Sequence, residues 1–421
     1  DHRTRSAVLD PAAVDGLEPN GTGGVIHRVT LTVTEQTLEV APGVELVAVP
    51  LTTNQPDHDV VAAVLDEQGK TDWATEEFEY ERGKPAPAPR PRAAAGSGGG
   101  AGASRLVTGT LPIHAELEDR LAALVGTPAA LVLSTGYHAN LAATTALADA
   151  DTLIVSDAHC HASLIDGMRL SRGSVQVARH RDLGHVEELL TARVGRDGEP
   201  RGRAMVVVES VYSVLGDAAP LVELADLCAE HDAVLLVDDA HGLGVRGADG
   251  AGLVAGSGIA GRPHVVVTTT LSKSLGSQGG AVLGTGLVRE HLVNTARPFI
   301  YDTGLAPAAA GAALGSLDVL ADEPWRCARV REVAARLAEV CGVDEPAGAV
   351  LSVPMPGPDE AVAAVAEAGE RGVRIGCFRP PSTPDGISRL RFTAHAGITD
   401  EDLETVAQVL AGVVGTTGDA A

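Results

Sequence analysis

Aromatic residues are scarce: Phe, Trp and Tyr make up 2% of the 421 residues, and no basic patch with interleaved aromatics occurs. The formal net charge of −24 is spread over many Asp and Glu rather than one tail, which argues against nucleic acid and anionic membranes as partners. Cysteine is sparse too. Cys160, Cys228, Cys327, Cys341 and Cys377 are scattered, form no C-x-x-C pair and are odd in number, so a reducing, cytoplasmic setting is expected. No apolar run is long enough to cross a bilayer, no signal-peptide pattern opens the chain, and no repeat of solenoid period stands out. Hydrophobic residues nevertheless reach 45%, enough for a large core, and the length suits a main domain plus a smaller one.

Residues 1 to about 24 read as a polar arm, and the apolar/polar alternation across 25–49 predicts a small antiparallel hairpin. Residues 59–65 suit a short helix. The run Lys84-Pro85-Ala86-Pro87-Ala88-Pro89-Arg90-Pro91-Arg92 lacks amide donors at every proline and predicts an extended linker, with a boundary near 95. Gly96-Ser97-Gly98-Gly99-Gly100-Ala101-Gly102 follows that linker and no strand, so it is not a dinucleotide fingerprint. Beyond it, apolar runs at 130–133, 153–155, 175–177, 205–208, 234–237, 265–267 and 281–283 alternate with helical stretches. That rhythm predicts an α/β domain, 96–330, built on a mostly parallel sheet covered on both faces. A long helical stretch over about 306–340 leads into a smaller carboxyl-terminal α/β domain, 331–421.

Three stretches carry chemistry. Lys273, in Thr270-Leu271-Ser272-Lys273-Ser274-Leu275-Gly276, lies between a core strand and a glycine-rich turn, where partial desolvation lowers an amine's pKa and frees it as a nucleophile. A surface loop lysine is the plain alternative. Asp238 in Val237-Asp238-Asp239-Ala240-His241-Gly242 ends another core strand; in open α/β sheets ligands collect beyond such ends, so Asp238, His241 and Lys273 can converge. A helix cap or a metal carboxylate for the acids, and a core histidine for His241, remain open. Ser134-Thr135-Gly136-Tyr137-His138-Ala139-Asn140 follows a third strand and opens an Ala-rich helix, whose free amides and positive dipole end suit a phosphate. An amine for an aldehyde, an acid for a pyridine nitrogen and a phosphate cradle are the parts of a pyridoxal 5'-phosphate site. His161, in His159-Cys160-His161, suits a flat lid on the ring better than a metal ligand, because no further ligand cluster accompanies it.

Taken together, Ser104-Arg105-Leu106-Val107-Thr108-Gly109-Thr110, Gly136-Tyr137, His161-Ala162-Ser163-Leu164, Glu209-Ser210-Val211-Tyr212-Ser213, Asp238-Asp239-Ala240-His241, Thr270-Leu271-Ser272-Lys273 and Arg379-Pro380-Pro381 resemble the α-oxoamine synthases, fold-type-I pyridoxal phosphate enzymes. The resemblance runs from about Gly96 to the carboxyl terminus. It implies condensation of an amino acid with an acyl thioester, on coenzyme A or a carrier protein, usually with loss of carbon dioxide, in a homodimer with shared active sites. It further implies that Lys273 holds the cofactor covalently and moves the Cα proton, that Asp238 pairs with the ring nitrogen and that His161 stacks on the ring. His241 and Ser213 would lie near the phenolic oxygen. Gly136, Tyr137 and Thr270 would hold the cofactor, with Thr303 reaching the neighbouring subunit's phosphate. Arg391 would grip the amino-acid carboxylate, with Ser382 and Asn54 as further substrate contacts. Two departures accompany this: only Asn54 of Thr52-Thr53-Asn54-Gln55-Pro56 fits the usual Asn-Tyr-Leu-Gly, and His138 stands where a small residue is usual. Transamination or retro-aldol cleavage on the same site is the nearest rival, and a non-catalytic subunit is a rival of another class.

Overall fold

The computed structural model describes residues 99–193 and 202–413, together with the backbone of four short strands nearer the amino terminus. The chain divides into two compact units, Asp1–Pro85 and Ala86–Ala421. In the first unit, β1 (Leu17–Pro19) pairs antiparallel with β2 (Val25–His27), and β3 (Thr37–Ala41) with β4 (Val44–Val47). The single hairpin expected over 25–49 is therefore two strand pairs, one of which begins earlier. The alternating run 29–34, the helix expected at 59–65, the linker 84–92 and Asn54 lie outside the described residues.

The second unit is built on a sheet of seven strands: β5 (Ala129–Leu133), β6 (Thr152–Asp157), β7 (Ser174–Ala178), β8 (Arg203–Glu209), β9 (Ala233–Asp238), β10 (Val265–Thr270) and β11 (Gly280–Gly284), in the order β5-β11-β10-β9-β8-β6-β7. All neighbouring pairs are parallel except the two that β11 makes. Successive side chains of a strand point to opposite faces, and here both faces are apolar. Val132, Val155, Val206, Leu235 and Val267 meet the helices Pro112–Val125, Leu183–Ala192, Leu221–Glu230 and Pro307–Asp322. Leu131, Ile154, Val207, Leu236 and Val266 meet Gly136–Leu147, Ala162–Leu170 and Gly286–Thr295 on the other side. Each such aliphatic side chain gains roughly 1.5–3 kcal/mol on leaving water. With both faces apolar, burial alone does not fix register. The polar strand ends do, and Glu209 lies opposite Asp238, which ends β9 beside Thr268 of β10.

The helical stretch expected over 306–340 is two helices, Pro307–Asp322 and Trp325–Cys341, because Pro324 has no amide hydrogen to continue the first. The chain then forms an antiparallel sheet from β12 (Val350–Pro354), β13 (Gly376–Phe378) and β14 (Arg389–Thr393) in the order β12-β14-β13. Val333 and Leu337 of Trp325–Cys341, Leu351, Leu390, Phe392 and Leu403 form a core of their own beneath it.

Candidate active site

The parallel strands deliver their polar residues to one edge: Asp157, Glu209, Asp238 and Thr270 end β6, β8, β9 and β10. The loop carrying Lys273 leaves from that edge and returns at Gly280, which sits between Thr270 and Leu133 in the sheet. Three backbones are thereby brought together. A Cβ on Gly280 would lie 2.4 Å from the Thr135 carbonyl oxygen, and one on Gly136 would lie 2.7 Å from Thr270 Cβ, so both positions require glycine. Thr135 caps the helix Gly136–Leu147 by accepting the His138 amide at 3.0 Å, which leaves the first-turn amides of Gly136 and Tyr137 for an anion. Thr270 is buried beside this turn, its hydroxyl 2.7 Å from Ser272 Oγ. Three residues expected to hold a phosphate-bearing group therefore converge. Tyr137 points its hydroxyl outward to Asp166, 2.5 Å away. His138 folds back onto Ser134, at 2.7 Å, and Asp302, at 3.2 Å, and Ser134 also bonds to Asp302. Asp302 precedes the exposed Thr303, which bridges to Ser104.

Asp238 is buried, with Oδ1 accepting the Ala240 amide at 3.0 Å and Oδ2 accepting Asn140 Nδ2 at 2.7 Å. The same Asn140 amide nitrogen donates to Ser163 Oγ at 2.8 Å, and Asn140 Oδ1 accepts the Thr268 hydroxyl at 2.6 Å. Ser163 in turn contacts His161 Nδ1 through its hydroxyl, at 2.7 Å, and its amide, at 3.2 Å. Asp239, the adjacent acid, takes another part: it accepts the Ser210 hydroxyl and the Leu253 and Val254 amides at the start of Leu253–Gly256. The pair divides the two readings left open in the sequence, one acid facing the site and one capping a helix turn. Burial pushes Asp239 up to about 7 despite those bonds.

Lys273 Nζ lies 2.9 Å from His241 Nε2. Lys273 stays exposed, yet the protein atoms crowding its amine lower its pKa, with Asp238 and Glu209 working the other way. Burial, then the charges of Lys273, Arg391 and His161, hold His241 well below the ordinary imidazole value, so it is a neutral acceptor for the lysine. Burial also depresses His161, Asp238 opposing it and Lys273 adding to it. Glu209, 2% exposed, accepts the Ser213 amide at 3.0 Å through Oε2, while Oε1 has no hydrogen-bond partner among the described residues. Burial, reinforced by the Asp238 charge, raises it to about 8. Arg391 donates Nε–H to the Ser213 carbonyl at 3.0 Å and Nη1 to Thr393 Oγ1 at 3.1 Å.

Not every expected residue joins this group. Ser382 lies in an exposed turn, its amide donating to the Arg379 carbonyl at 2.8 Å, and among the described residues it shares no hydrogen bond with those around Lys273. Of His159-Cys160-His161, Cys160 is buried with its thiol on the Val207 carbonyl and His159 stacks against His180, so the three point to different partners. Sequence reasoning missed Asn140 as an active-site residue and Glu209 as a buried acid. Asn140 stands in the cradle motif and Glu209 at a strand end, but neither spacing announces a partner so distant in the chain. The amine, the doubly held carboxylate and the glycine-tight anion cradle fit pyridoxal 5'-phosphate: Gly136, Tyr137 and Thr270 would hold its phosphate, Asp238 its ring nitrogen and Lys273 its aldehyde.

The chain is similar to known proteins over most of its length. The family profile of aminotransferase class I and II matches residues 68–410. The 8-amino-7-oxononanoate synthase of Mycolicibacterium gilvum (strain PYR-GCK) is 54% identical over 312 residues, which cover 74% of this chain and 80% of that protein. The enzyme of the same name from Mycobacterium avium (strain 104) is 54% identical over 316 residues, 75% of this chain and 81% of that protein. Among solved structures, the serine palmitoyltransferase of Sphingomonas wittichii superposes with a TM-score of 0.72 at 31% identity, covering 78% of this chain and 82% of that one.

Proposed function

Because the chain belongs to the aminotransferase class I and II family, and within it to the α-oxoamine synthases, we propose that it joins an amino acid to an acyl thioester with pyridoxal 5'-phosphate as its cofactor. The bound cofactor supplies an electron sink that makes a Cα–H bond of the amino acid acidic enough to break. The rest is the work of the chain's own side chains. Lys273 Nζ, whose pKa is lowered by burial, takes and returns the Cα proton. His241 accepts a hydrogen bond from that amine and holds it in place. Asp238, fixed at both oxygens, would face the ring nitrogen. Arg391, held by Ser213, offers its guanidinium to the substrate carboxylate, and Glu209 beside it is a neutral acid at pH 7.

The observation that carries this reading is the convergence of Lys273, His241, Asp238 and the Asn140–Ser163–His161 chain on one edge of the sheet. The names of the relatives point to an ω-carboxylated acyl chain on the thioester and a small amino acid. Thr303 and Ser382 are assigned to the neighbouring subunit's cofactor phosphate and to the substrate, and Asn54 to the substrate, on the family resemblance. A homodimer is supported by the exposed apolar side chains of Leu106, Val107 and Tyr301, which flank the Ser104–Thr303 bridge. Residues 96–330 are assigned to a cofactor-binding domain and 331–421 to a smaller one, supported by the separate cores, although the helix Trp325–Cys341 starts ahead of that boundary. A cytoplasmic site is supported by five thiols, all free of disulfides. Among the described residues no helix is long and apolar enough to cross a membrane.

The test is chemical. Protein mixed with pyridoxal 5'-phosphate is reduced with borohydride and digested, and mass spectrometry locates the pyridoxyl group. Label on Lys273, absent from Lys273→Ala, together with amino-acid-dependent thiol release from an acyl thioester, is the expected result. Equal labelling of Lys273→Ala would overturn the assignment.

A further inference from the structure

Asn140 is 3% exposed, in the first turns of the helix Gly136–Leu147, and its side-chain nitrogen and oxygen are both engaged by neighbours, the nitrogen twice. The Asp238 carboxylate only accepts, so the nitrogen must face it. That orientation leaves the oxygen to the Thr268 hydroxyl, 2.6 Å away, and sends the second N–H to Ser163 Oγ at 2.8 Å. Ser163 Oγ, accepting from Asn140, has its own proton to donate, and the acceptor within reach is His161 Nδ1 at 2.7 Å. The Ser163 amide points at the same nitrogen from 3.2 Å. Two donors on Nδ1 place the proton of a neutral imidazole on Nε2.

The chain of bonds depends on a tight helix contact. A Cβ on Gly167 would lie 2.0 Å from Thr144 Oγ1 and 3.3 Å from the Asn140 carbonyl oxygen. Glycine at 167 thus lets Ala162–Leu170 approach Gly136–Leu147 closely enough for Ser163 to reach Asn140. Thr144 completes the contact by donating its hydroxyl to the Asn140 carbonyl at 2.6 Å.

Resting on the function proposed above, we propose that Asn140 is a positioning residue that locks together the acid for the cofactor's ring nitrogen, Asp238, and the imidazole that covers its face, His161. Asn140 orients Asp238 directly and sets the His161 tautomer and ring angle through Ser163. A structural amide would only need its bonds made; this one bonds directly to the acid assigned to the cofactor, Asp238, and through Ser163 to the imidazole assigned to it, His161. The lowered pKa of His161 agrees, since a neutral ring is what two donors on Nδ1 require.

Two variants separate the arms. Asn140→Asp keeps the shape and the Thr268 bond but replaces both donations with acceptors, whereas Ser163→Ala removes the hydroxyl between Asn140 and His161 and leaves the Asn140–Asp238 bond in place. Three readouts are taken on thermally intact protein: pyridoxal 5'-phosphate affinity by titration, induced circular dichroism per bound cofactor, and the His161 tautomer by nitrogen-15 NMR of cofactor-free protein. Loss of a charge-assisted bond predicts at least about tenfold weaker cofactor binding for Asn140→Asp, with altered induced dichroism. Ser163→Ala keeps affinity within about twofold but leaves only the longer backbone-amide bond on His161 Nδ1, so the Nε2–H tautomer loses population to Nδ1–H, and Ser163→Thr restores it. Wild-type affinity and dichroism in Asn140→Asp, or an unchanged tautomer in Ser163→Ala, would overturn the proposal. Should Asn140→Asp fail to fold, the tautomer in Ser163→Ala decides alone. Wild-type protein that binds no cofactor sinks the proposed function, while the cofactor-free NMR still decides the Asn140–Ser163–His161 coupling.

Discussion

Arg391 Nε and the Ser213 carbonyl oxygen, 3.0 Å apart, tie the carboxyl-terminal sheet to the loop after β8. Ser213 is itself pinned by its amide on Glu209, so the guanidinium is anchored to the same strand edge as the cofactor residues. That anchor uses Nε and leaves the Nη2 end of the planar fork for a carboxylate. Lysine has no such fork. Arg391→Lys is therefore expected to raise the amino-acid KM about tenfold or more while pyridoxal 5'-phosphate affinity stays within about twofold. Steady-state kinetics beside a cofactor titration checks this, and a parallel loss of both would mean that Arg391 holds the fold instead.

Glu209 predicts a pH effect on stability. Its folded-state pKa of about 8 lies above the ordinary 4.5, so the folded chain retains a proton that the unfolded chain has released. Stability then falls as pH rises from about 4.5 to about 8. Glu209→Gln carries no proton to lose, so its thermal midpoint changes less over that window and meets or exceeds the wild-type value at pH 8. A wild-type midpoint rising at the same rate as the variant's through this range would show that Glu209 is ionised when folded.

Several of these relationships were legible in the sequence for a physical reason. Buried parallel strands write themselves as unbroken apolar runs, and their ends, Asp238 and Thr270, mark the ligand edge whatever the topology. The reversal of β11 was less visible, because Ala281-Val282-Leu283 reads the same in either direction. Its sign is the connection 271–279, shorter than the dozen or so residues that a parallel crossover takes. Asn140 escaped notice since its partners, Ser163, Asp238 and Thr268, lie on three other elements, and the glycine that lets them meet is Gly167. Glu209 and Arg391 belong to different sheets, and no periodicity relates them.

A third expectation concerns His180, away from the amine. Its Nδ1 lies 2.8 Å from Asp157 and its Nε2 3.0 Å from Asp217, bridging the strand that leads to His161 and the loop that carries Ser213. Burial alone would depress it, but the bonds to Asp157 and Asp217 outweigh that and raise it to about 9. The stabilisation is complete below the ordinary 6.5 and is lost as pH climbs through about 9. The shift corresponds to something on the order of 3 kcal/mol. His180→Gln should unfold at lower urea than wild type at pH 6 and approach it at pH 10. An equal gap at both values would exclude the imidazolium bridge.

The outer margin of β5 is held by a buried ion pair. Among the described residues no strand pairs with that side, and instead Val132 donates its amide to Glu118 Oε1 at 2.9 Å and gives its carbonyl to Arg105 Nη1, also at 2.9 Å. Arg105 Nη2 and Glu118 Oε1 close the figure at 2.8 Å, both side chains being buried. Removing one member of a buried pair strands the other charge, and here it also strips a sheet edge of its acceptor. Glu118→Ala is expected to cost about 3–5 kcal/mol in urea unfolding at pH 7. Glu118→Gln keeps an acceptor for Val132 and should cost less. A Glu118→Ala protein within about 1 kcal/mol of wild type would show that water satisfies this edge as well as the ion pair does.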